Sequence, residues 1–293
     1  MLKAVMPTCD SILRVCAGLV VCSFVFTTVG CELNTGANLK AAVRFKPSKV
    51  GEAAAESETP AETTTEVTVT DGVGTLKGKV EYNGAFTPLP PLYAKGADVK
   101  DAAVCAAAEA PNETIIVKDG GLANVFIYLR KAPKITGDAA PAGNLIFDQK
   151  NCVFKPHAMI VPVGKEIRVL NSDGVAHNTH TNAKKNTDFN KIVNPHDSVG
   201  APLIYKQAEQ EPFSVVCDIH SWMRAYHLPI DHPFATISAE DGTFEIQNLP
   251  AGKHEFKVWH EAGGLLEKAL VVTIKPGEND PLTIKVSPSQ LGK

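Results

Sequence analysis

The chemistry of this chain is concentrated in one short run, SVVCDIHSWMRAYH, and in one histidine upstream of it. Within the run, Cys217, His220 and Met223 have the spacing C-x2-H-x2-M, and His177 lies in the earlier segment NSDGVAHNTHT. A thiolate and two imidazoles satisfy both the soft Cu(I) and the harder Cu(II) state, and a weak axial thioether tunes the reduction potential. These four residues are therefore predicted to hold one mononuclear copper ion.

Strand periodicity indicates how the cysteine is presented. Phe213, Val215 and Cys217 occupy alternate positions, which is the period of a β-strand with one buried face. The sulfur of Cys217 is then expected to point into the apolar end of a core, where water is excluded. A tight loop after this strand can bring His220 and Met223 to the same point, and His177 must come from the end of another strand.

Several alternatives to this ligand set stay open. His180 or His227 could replace Met223 and give a harder, more solvent-open copper centre. Zinc sites use similar spacings, but a second close cysteine pair or a paired histidine is missing, and haem attachment needs C-x-x-C-H. A nucleophilic Cys217 would need a base and an oxyanion site that no motif marks, so the chain is predicted not to be an enzyme. A degenerate copper fold without metal is the remaining alternative.

The ligand run resembles that of the cupredoxins, the family of plastocyanin and amicyanin, and its short x2–x2 spacing is like that of amicyanin. Residues 171–173 (NSD) followed by His177-Asn178 are similar to the N-x-D…H-N segment of that family, and FKPHAMIVPVGKEIRVL (154–170) resembles its preceding strands. The resemblance covers about 145–230. It implies a Greek-key β-sandwich in which Asn178 ties the two ligand loops together.

The resemblance also implies a function. In cupredoxins the edge of the histidine that corresponds to His220 is where electrons enter and leave. One-electron transfer is therefore expected, with a redox partner protein that docks near His220 and Trp222. The alternatives are a copper-binding module for handling or sensing that has no redox partner, and a metal-free adhesion or carbohydrate-binding sandwich.

A second resemblance concerns the end of the chain. Residues 236–286 look like the latter half of a carboxypeptidase-regulatory-like sandwich, a small β-domain related in shape to transthyretin. Its expected opening strands stand far upstream, as GTLKGKV (74–80) and ANVFIYL (123–129). The predicted fold class is therefore all-β, with a cupredoxin sandwich inserted between the strands of a transthyretin-like sandwich. Two or three ordinary sandwiches in series are the alternative.

Composition and charge set the remaining limits. The 293 residues carry a net charge of -3, which gives no argument for nucleic acid or an anionic membrane surface as a partner. Residues 51–70 contain almost no large apolar side chains, which predicts a flexible tether. The predicted segments are a signal (1–31), a linker (32–72), the first part of the outer sandwich (73–133), the cupredoxin domain (134–230) and the second part of the outer sandwich (231–293).

The N-terminal segment is typical of an exported protein. Lys3 and Arg14 precede an apolar run from Val15 to Val29, which is short for a membrane-spanning helix. Gly30 and Cys31 then resemble a lipoprotein processing site. We expect a periplasmic or cell-envelope protein that touches the membrane only through a lipid on Cys31. Plain secretion or an uncleaved anchor is the alternative.

Cysteine use agrees with export. Four of the seven cysteines lie in the signal segment, and the last of them, Cys31, is the candidate lipid site. Because exported cysteines tend to pair and Cys217 is assigned to the metal, Cys105 and Cys152 are predicted to form a disulfide. Two separate buried thiols are the alternative.

Overall fold

A computed structural model describes residues 72–133 and 145–293. In these ranges the regular secondary structure is β-strand apart from two short helical turns, α1 (Ala102–Cys105) and a 3-10 turn (Pro288–Leu291). The predicted all-β fold class is confirmed. The predicted signal, the lipid site at Cys31 and nearly all of the linker lie outside the described residues. Within the described part, no helix is long and apolar enough to cross a membrane.

The described strands are short to medium in length and follow one another closely. In chain order they are β1 (Val73–Tyr82), β2 (Val117–Lys118), β3 (Gly121–Leu122), β4 (Phe126–Leu129), β5 (Leu145–Lys150), β6 (Val153–Lys155), β7 (Ala158–Pro162), β8 (Glu166–Asn171), β9 (His177–Thr181), β10 (Asn190–Val193), β11 (Asp197–Ile204), β12 (Phe213–Val216), β13 (Arg224–Ile230), β14 (Ala235–Ile237), β15 (Thr243–Pro250), β16 (Gly252–His260), β17 (Gly264–Ile274), β18 (Gly277–Glu278) and β19 (Leu282–Val286).

These strands form four sheets in two groups. Strands β5 to β13 form a sheet of order β10-β9-β12-β13-β7 and a sheet of order β11-β8-β5-β6. The earlier and later strands combine into a sheet of order β15-β1-β3-β2, where β18 and β19 also pair with β1, and a sheet of order β14-β4-β16-β17. Strands from both sides of the middle segment therefore share sheets. The predicted boundary at 133/134 adjoins residues outside the described ranges and stays a prediction.

The alternation of buried and more exposed residues locates the core of the two sheets formed by β5 to β13, which we call the middle sheets. In β8, Ile167 and Val169 are fully buried while their neighbours are partly exposed, and in β12 Phe213 and Val215 are buried in the same way. Their side chains join one apolar cluster that also holds Cys217 and Met223. The expected inward direction of the Cys217 side chain is confirmed, since Cys217 is 2% exposed.

A segment outside the middle strands packs on the same core. Tyr93 and Ala110 form an isolated bridge, and both are buried against the cluster of the middle sheets together with Cys105. Cys105 and Cys152 form a disulfide with a Cα–Cα distance of 5.2 Å, which confirms the predicted pair. We call residues 93–110 the cover segment. It falls within the range predicted for the outer sandwich, yet its buried side chains belong to the core of the middle sheets.

The two sheets formed by the strands before β5 and after β13, which we call the outer sheets, have the expected strand pattern at their first strand, β1. Leu76, Val80 and Tyr82 are separated by even numbers of residues in β1 and are all buried, which is the alternation of a strand with one buried face. β1 is central to its sheet, with β15 antiparallel on one side and β19 parallel on the other. Strands far apart in the sequence therefore meet on one strand.

Residues 240–242 (EDG), between two strand-like segments, predict a hairpin, and this prediction is wrong. The turn exists, with Gly242 at φ +79° and its N–H donating to the carbonyl of Ala239 over 2.9 Å. The flanking strands do not pair, because β14 joins β4 in one sheet and β15 joins β1 in another. A Cβ on Gly242 would lie 2.4 Å from the carbonyl oxygen of Val80, so the residue is constrained by close approach as well as by φ. The residues of a turn specify that the chain reverses its direction. They do not specify which strands pair with each other.

A further apolar cluster lies between the two groups of sheets. Phe126, Tyr128 and Trp259 of the outer sheet pack against Leu228 and Ile230 of β13. The rings of Phe126 and Trp259 meet edge to face with centroids 5.6 Å apart. This cluster fixes β13, the strand that leaves the candidate ligand loop.

The buried His227 in β13 predicts acid sensitivity. Its imidazole is 0% exposed, and its Nδ1 lies within hydrogen-bond distance of the Tyr205 hydroxyl, at 2.8 Å. Burial lowers the pKa of His227 to about 3. Because the unfolded state takes up a proton below about pH 6.5 and the folded state does not, this residue should reduce the free energy of unfolding by about 1.4 kcal/mol per pH unit between about pH 6 and pH 4.

The matched variant replaces both partners, Tyr205→Phe with His227→Phe, so that no buried polar group is left unpaired. Urea unfolding followed at several pH values should give a shallower acid decline for this variant than for the wild type. Parallel declines would contradict the assignment of the slope to His227.

Candidate metal centre

Strand pairing brings two distant parts of the sequence to one end of the middle sheet. β9 begins at His177, and β12 ends one residue before Cys217. The two strands are antiparallel neighbours in the register Val215↔Thr181. Because antiparallel strands run in opposite directions, the beginning of β9 lies beside the end of β12. His177 is thereby placed next to Cys217.

The loop between β12 and β13 supplies the next candidate ligand. The Met223 N–H donates to the carbonyl of His220 over 2.9 Å, and the Met223 carbonyl accepts from the Cys217 N–H over 3.3 Å. The His220 N–H also lies 3.4 Å from the Cys217 sulfur. These contacts fold the loop tightly enough to turn the His220 ring back toward Cys217.

Three of the predicted ligands converge on one buried point. The Nδ1 atoms of His177 and His220 are 2.9 Å apart, and the Cys217 sulfur is 3.8 Å from the His220 Nδ1. The three potential ligand atoms all lie within 4.8 Å of one another. Exposed fractions are 0% for both histidines and 2% for Cys217. Metal–ligand bonds of about 2.0–2.3 Å would let one ion contact all three.

Met223 is enclosed beside this group. Its side chain is 1% exposed and belongs to the same apolar cluster as Cys217. Its backbone closes the ligand loop. The thioether is therefore held in the interior, and its role as a fourth ligand stays a prediction.

The two alternative histidines lie elsewhere. His180 is partly exposed, and its Nδ1 lies 3.0 Å from a carboxylate oxygen of Asp218. His227 is buried among aromatic rings, including Phe147 with centroids 4.4 Å apart. Among the described residues, neither histidine joins the group formed by His177, Cys217 and His220. The alternative in which one of them replaces Met223 is not supported by this geometry.

Asn178 joins the two ligand segments. Its Oδ1 accepts hydrogen bonds from the backbone N–H groups of Asp218 and Ile219, over 2.6 and 3.2 Å. Its own N–H lies 3.5 Å from the Cys217 sulfur, and its Nδ2 donates to the Asp218 carboxylate over 2.8 Å. The linking role implied by the resemblance is therefore present in the structure.

Both imidazoles have a carboxylate on their other nitrogen. The Nε2 of His177 lies 2.9 Å from Asp173, and the Nε2 of His220 lies 2.9 Å from Asp101. Such partners fix the tautomer and orientation of a metal-binding histidine. Neither aspartate is among the predicted site residues. Asp173 stands in the NSD motif, which is a usable signal, whereas Asp101 is too distant in sequence from His220 for any motif to reveal the pair.

Asp173 is itself held firmly. Its carboxylate accepts from the backbone N–H groups of Asn151 and Cys152, over 2.6 and 2.8 Å. Burial raises its pKa, but the hydrogen bonds from His177, Cys152 and Asn151 outweigh burial and lower the pKa below the ordinary value. Asp173 therefore favours the ionised form beside His177.

The cysteine is biased toward the thiolate. Burial raises the pKa of Cys217, but hydrogen bonds with His177 and His220, and with the backbone N–H groups of Asn178 and His220, lower the pKa to about 6. For His177, burial lowers the pKa, and the stronger combined effect of Asp173 and Cys217 raises it. A buried thiolate ringed by nitrogen ligands is a favourable environment for a cation.

One overlapping group does not offer a metal site. Cys152, Asp173 and His177 also have potential ligand atoms within 4.8 Å of one another. The Cys152 sulfur is bonded to Cys105, so it cannot serve as a thiolate. Within the described ranges, Cys217 is the free cysteine.

Removal of the Asn178 side chain should loosen the ligand loop. Asn178→Ala leaves the N–H groups of Asp218 and Ile219 without their acceptor, which should cost about 1–3 kcal/mol in the free energy of unfolding. Amide hydrogen exchange at these two positions should accelerate. Asn190→Ala is the matched control, because Asn190 is exposed and contacts only the side chains of Asn178 and Asp218 in this network. Equal losses in both variants would contradict the linking role.

Comparison with known proteins gives limited similarity. No protein-family model matches the chain, and comparison with curated proteins found no match. Among solved structures, the chain is similar to a copper-containing nitrite reductase from Thermus scotoductus, with 14% identity and a TM-score of 0.28 over 34% of this chain and 25% of the reductase. The chain thus spans about a quarter of the reductase.

Two amicyanin variants are similar over a larger part of their own length. A reduced form has 17% identity and a TM-score of 0.27 over 31% of this chain and 86% of amicyanin. An oxidised form has 15% identity and a TM-score of 0.27 over 41% of this chain and 95% of amicyanin. TM-scores of 0.27 do not define the function of the candidate metal centre, which depends on its own residues.

Proposed function

We propose that this protein holds one copper ion through Cys217, His177 and His220, with Met223 as a weaker fourth ligand, and that it carries single electrons. The observation that supports this most directly is the convergence of one sulfur and two Nδ1 atoms within 4.8 Å at a buried point. All three residues come from strand ends or a short loop that the sheet holds in place.

The hydrogen bonds around the ring nitrogens support a bound cation. When each Nε2–H donates to its aspartate, the Nδ1 lone pairs of His177 and His220 face each other across 2.9 Å. Two lone pairs at that distance repel each other, and a cation between the rings and the Cys217 sulfur converts the repulsion into bonding. The donor set of the described residues therefore fits a metal.

The types of donor favour copper over zinc. Structural zinc sites are closed by four cysteine or histidine ligands, whereas this group offers one thiolate, two imidazoles and a nearby thioether. When bound, copper would supply one-electron exchange between Cu(I) and Cu(II). The chain's own contribution is to exclude water and to keep the ligands in one arrangement in both oxidation states, through the β9–β12 pairing and the bonds of Asn178.

Export is part of the proposal. The basic start, the apolar run and the Gly30-Cys31 pair favour an exported, lipid-anchored protein in the periplasm or cell envelope. The Cys105–Cys152 disulfide supports an oxidising compartment. Under oxidising conditions, coordination by a metal would also protect the free Cys217 thiolate, since an unliganded thiolate is open to oxidation.

Electron transfer requires a partner, which we propose docks on the face near His220 and Trp222. His220 itself is 0% exposed, and Trp222 is partly buried. A partner would therefore contact the residues that cover the imidazole. The enclosure of His220 favours a second candidate function, copper binding for handling or sensing without a redox partner.

Copper titration of the full-length protein tests the proposal. Addition of Cu(II) to the metal-free protein should produce an intense visible charge-transfer band that saturates at one copper per chain. Cys217→Ser should abolish the band, and His177→Ala should abolish or strongly reduce it. His180→Ala is the matched control and should leave the band unchanged, because His180 lies outside the ligand group.

The outcomes separate the candidate functions. Absence of both the band and stoichiometric copper would overturn the copper assignment. A band with reversible electrochemistry supports electron transfer, and a band without it favours copper handling. Loss of the band in His180→Ala but not in His177→Ala would contradict the ligand set.

A further inference from the structure

The outer nitrogen of His220 faces the cover segment. We propose that Asp101 is a positioning residue for His220 and lowers the reduction potential of the copper centre, an inference that rests on the proposed function. The Asp101 carboxylate lies 2.9 Å from the His220 Nε2, and the imidazole has no exposed surface. Asp101 stands in the cover segment, far from the ligand loop in sequence.

The backbone at Asp101 is set up for this contact. Asp101 has φ 54° and ψ 37°, in the left-handed region that ordinary residues seldom occupy. It stands at the N-cap of α1, where its carbonyl accepts from the N–H groups of Val104 and Cys105, each over 2.9 Å. An aspartate at an N-cap commonly bonds the first turn with its side chain, but this one makes no such bond. The side chain is used for His220 instead.

The cover segment is anchored to the metal side of the core. The Tyr93 hydroxyl donates to the Cys105 carbonyl over 3.1 Å, and the Tyr93 ring meets that of Trp222 with centroids 5.0 Å apart. Trp222 Nε1 donates to the Cys152 carbonyl over 3.0 Å. The disulfide between Cys105 and Cys152 completes the attachment. Asp101 is therefore held by contacts on both sides of the ligand loop.

The same disulfide connects the two carboxylates that hold the imidazoles. Cys152 donates its N–H to Asp173, the partner of His177. Cys105 follows Asp101 by one turn of α1, and the Cys105 N–H is bonded to the Asp101 carbonyl. One disulfide thus links the segments that carry Asp173, the partner of His177, and Asp101, the partner of His220. The site therefore places a carboxylate beside each of its two histidine ligands.

The expected electronic effect follows from charge. A carboxylate bonded to the outer N–H of a ligand imidazole raises the basicity of that ligand. Added negative charge stabilises Cu(II) more than Cu(I), because Cu(II) carries the larger charge. Asp101 is 38% exposed, so solvent reduces the effect without removing it. The carboxylate should therefore lower the potential of the centre.

The first test is Asp101→Asn in the full-length protein. Asparagine suits the left-handed backbone and can still accept from the Nε2–H, so this variant removes the charge and keeps the fold. Cu(II) affinity should fall about tenfold with little change in Cu(I) affinity. For a one-electron couple that change corresponds to a rise in potential of about 59 mV.

The matched control is Asp98→Asn. Asp98 is an exposed residue of the same cover segment, and the variant makes the same change in net charge. It should shift the potential much less than Asp101→Asn. The proposal would be overturned if the wild type and Asp101→Asn had equal potentials, or if both variants shifted the potential equally. An intact visible band in these variants would still support the copper assignment.

A second test does not require copper. Asp101→Gly removes the side chain and is free of backbone strain at this φ. Nitrogen NMR of the metal-free protein should show His220 protonated at Nε2 in the wild type and a mixture of tautomers in Asp101→Gly. An unchanged tautomer would overturn the positioning role even if the wild type bound no copper, so failure of this inference and failure of the copper assignment are distinguishable.

Discussion

The antiparallel pairing of β9 with β12 is the constraint on which the candidate metal centre depends. It sets the start of one strand beside the end of the other and so brings His177 to Cys217. Asn178 strengthens the same junction, because its side chain bonds the backbone immediately after Cys217. A shift of one residue in this register would turn His177 to the opposite face of the sheet and separate the ligands.

Around this junction the protein surrounds a thiolate with groups that keep it charged. Burial alone would favour the neutral thiol, and the imidazoles and backbone N–H groups reverse that preference, giving Cys217 a pKa of about 6. The imidazoles are in turn held by Asp173 and Asp101. Linked hydrogen bonds in a water-poor interior strengthen one another. The arrangement therefore has the Cys217 sulfur at its centre, the two imidazoles around it and the two aspartates beyond them.

The rest of the fold holds the strands that carry this arrangement. β13 leaves the ligand loop and is fixed by Leu228 and Ile230 against Phe126 and Trp259 of the outer sheet. On the other side, the cover segment is attached through Cys105 and closes the edge of His220. The outer sheets and the cover segment thus limit the movement of a loop that would otherwise lie at the end of a sandwich.

The sequence by itself determined the all-β class, the faces of β1 and β12 and the Cys105–Cys152 pair, because strand periodicity and cysteine use are local or compositional signals. It also brought together His177, Cys217 and His220 through spacing and resemblance. Only the tertiary structure decided the contact of Asp101 with His220 and the separation of β14 and β15 into different sheets. Both depend on which distant segments pack together, and no local pattern of residues encodes that choice.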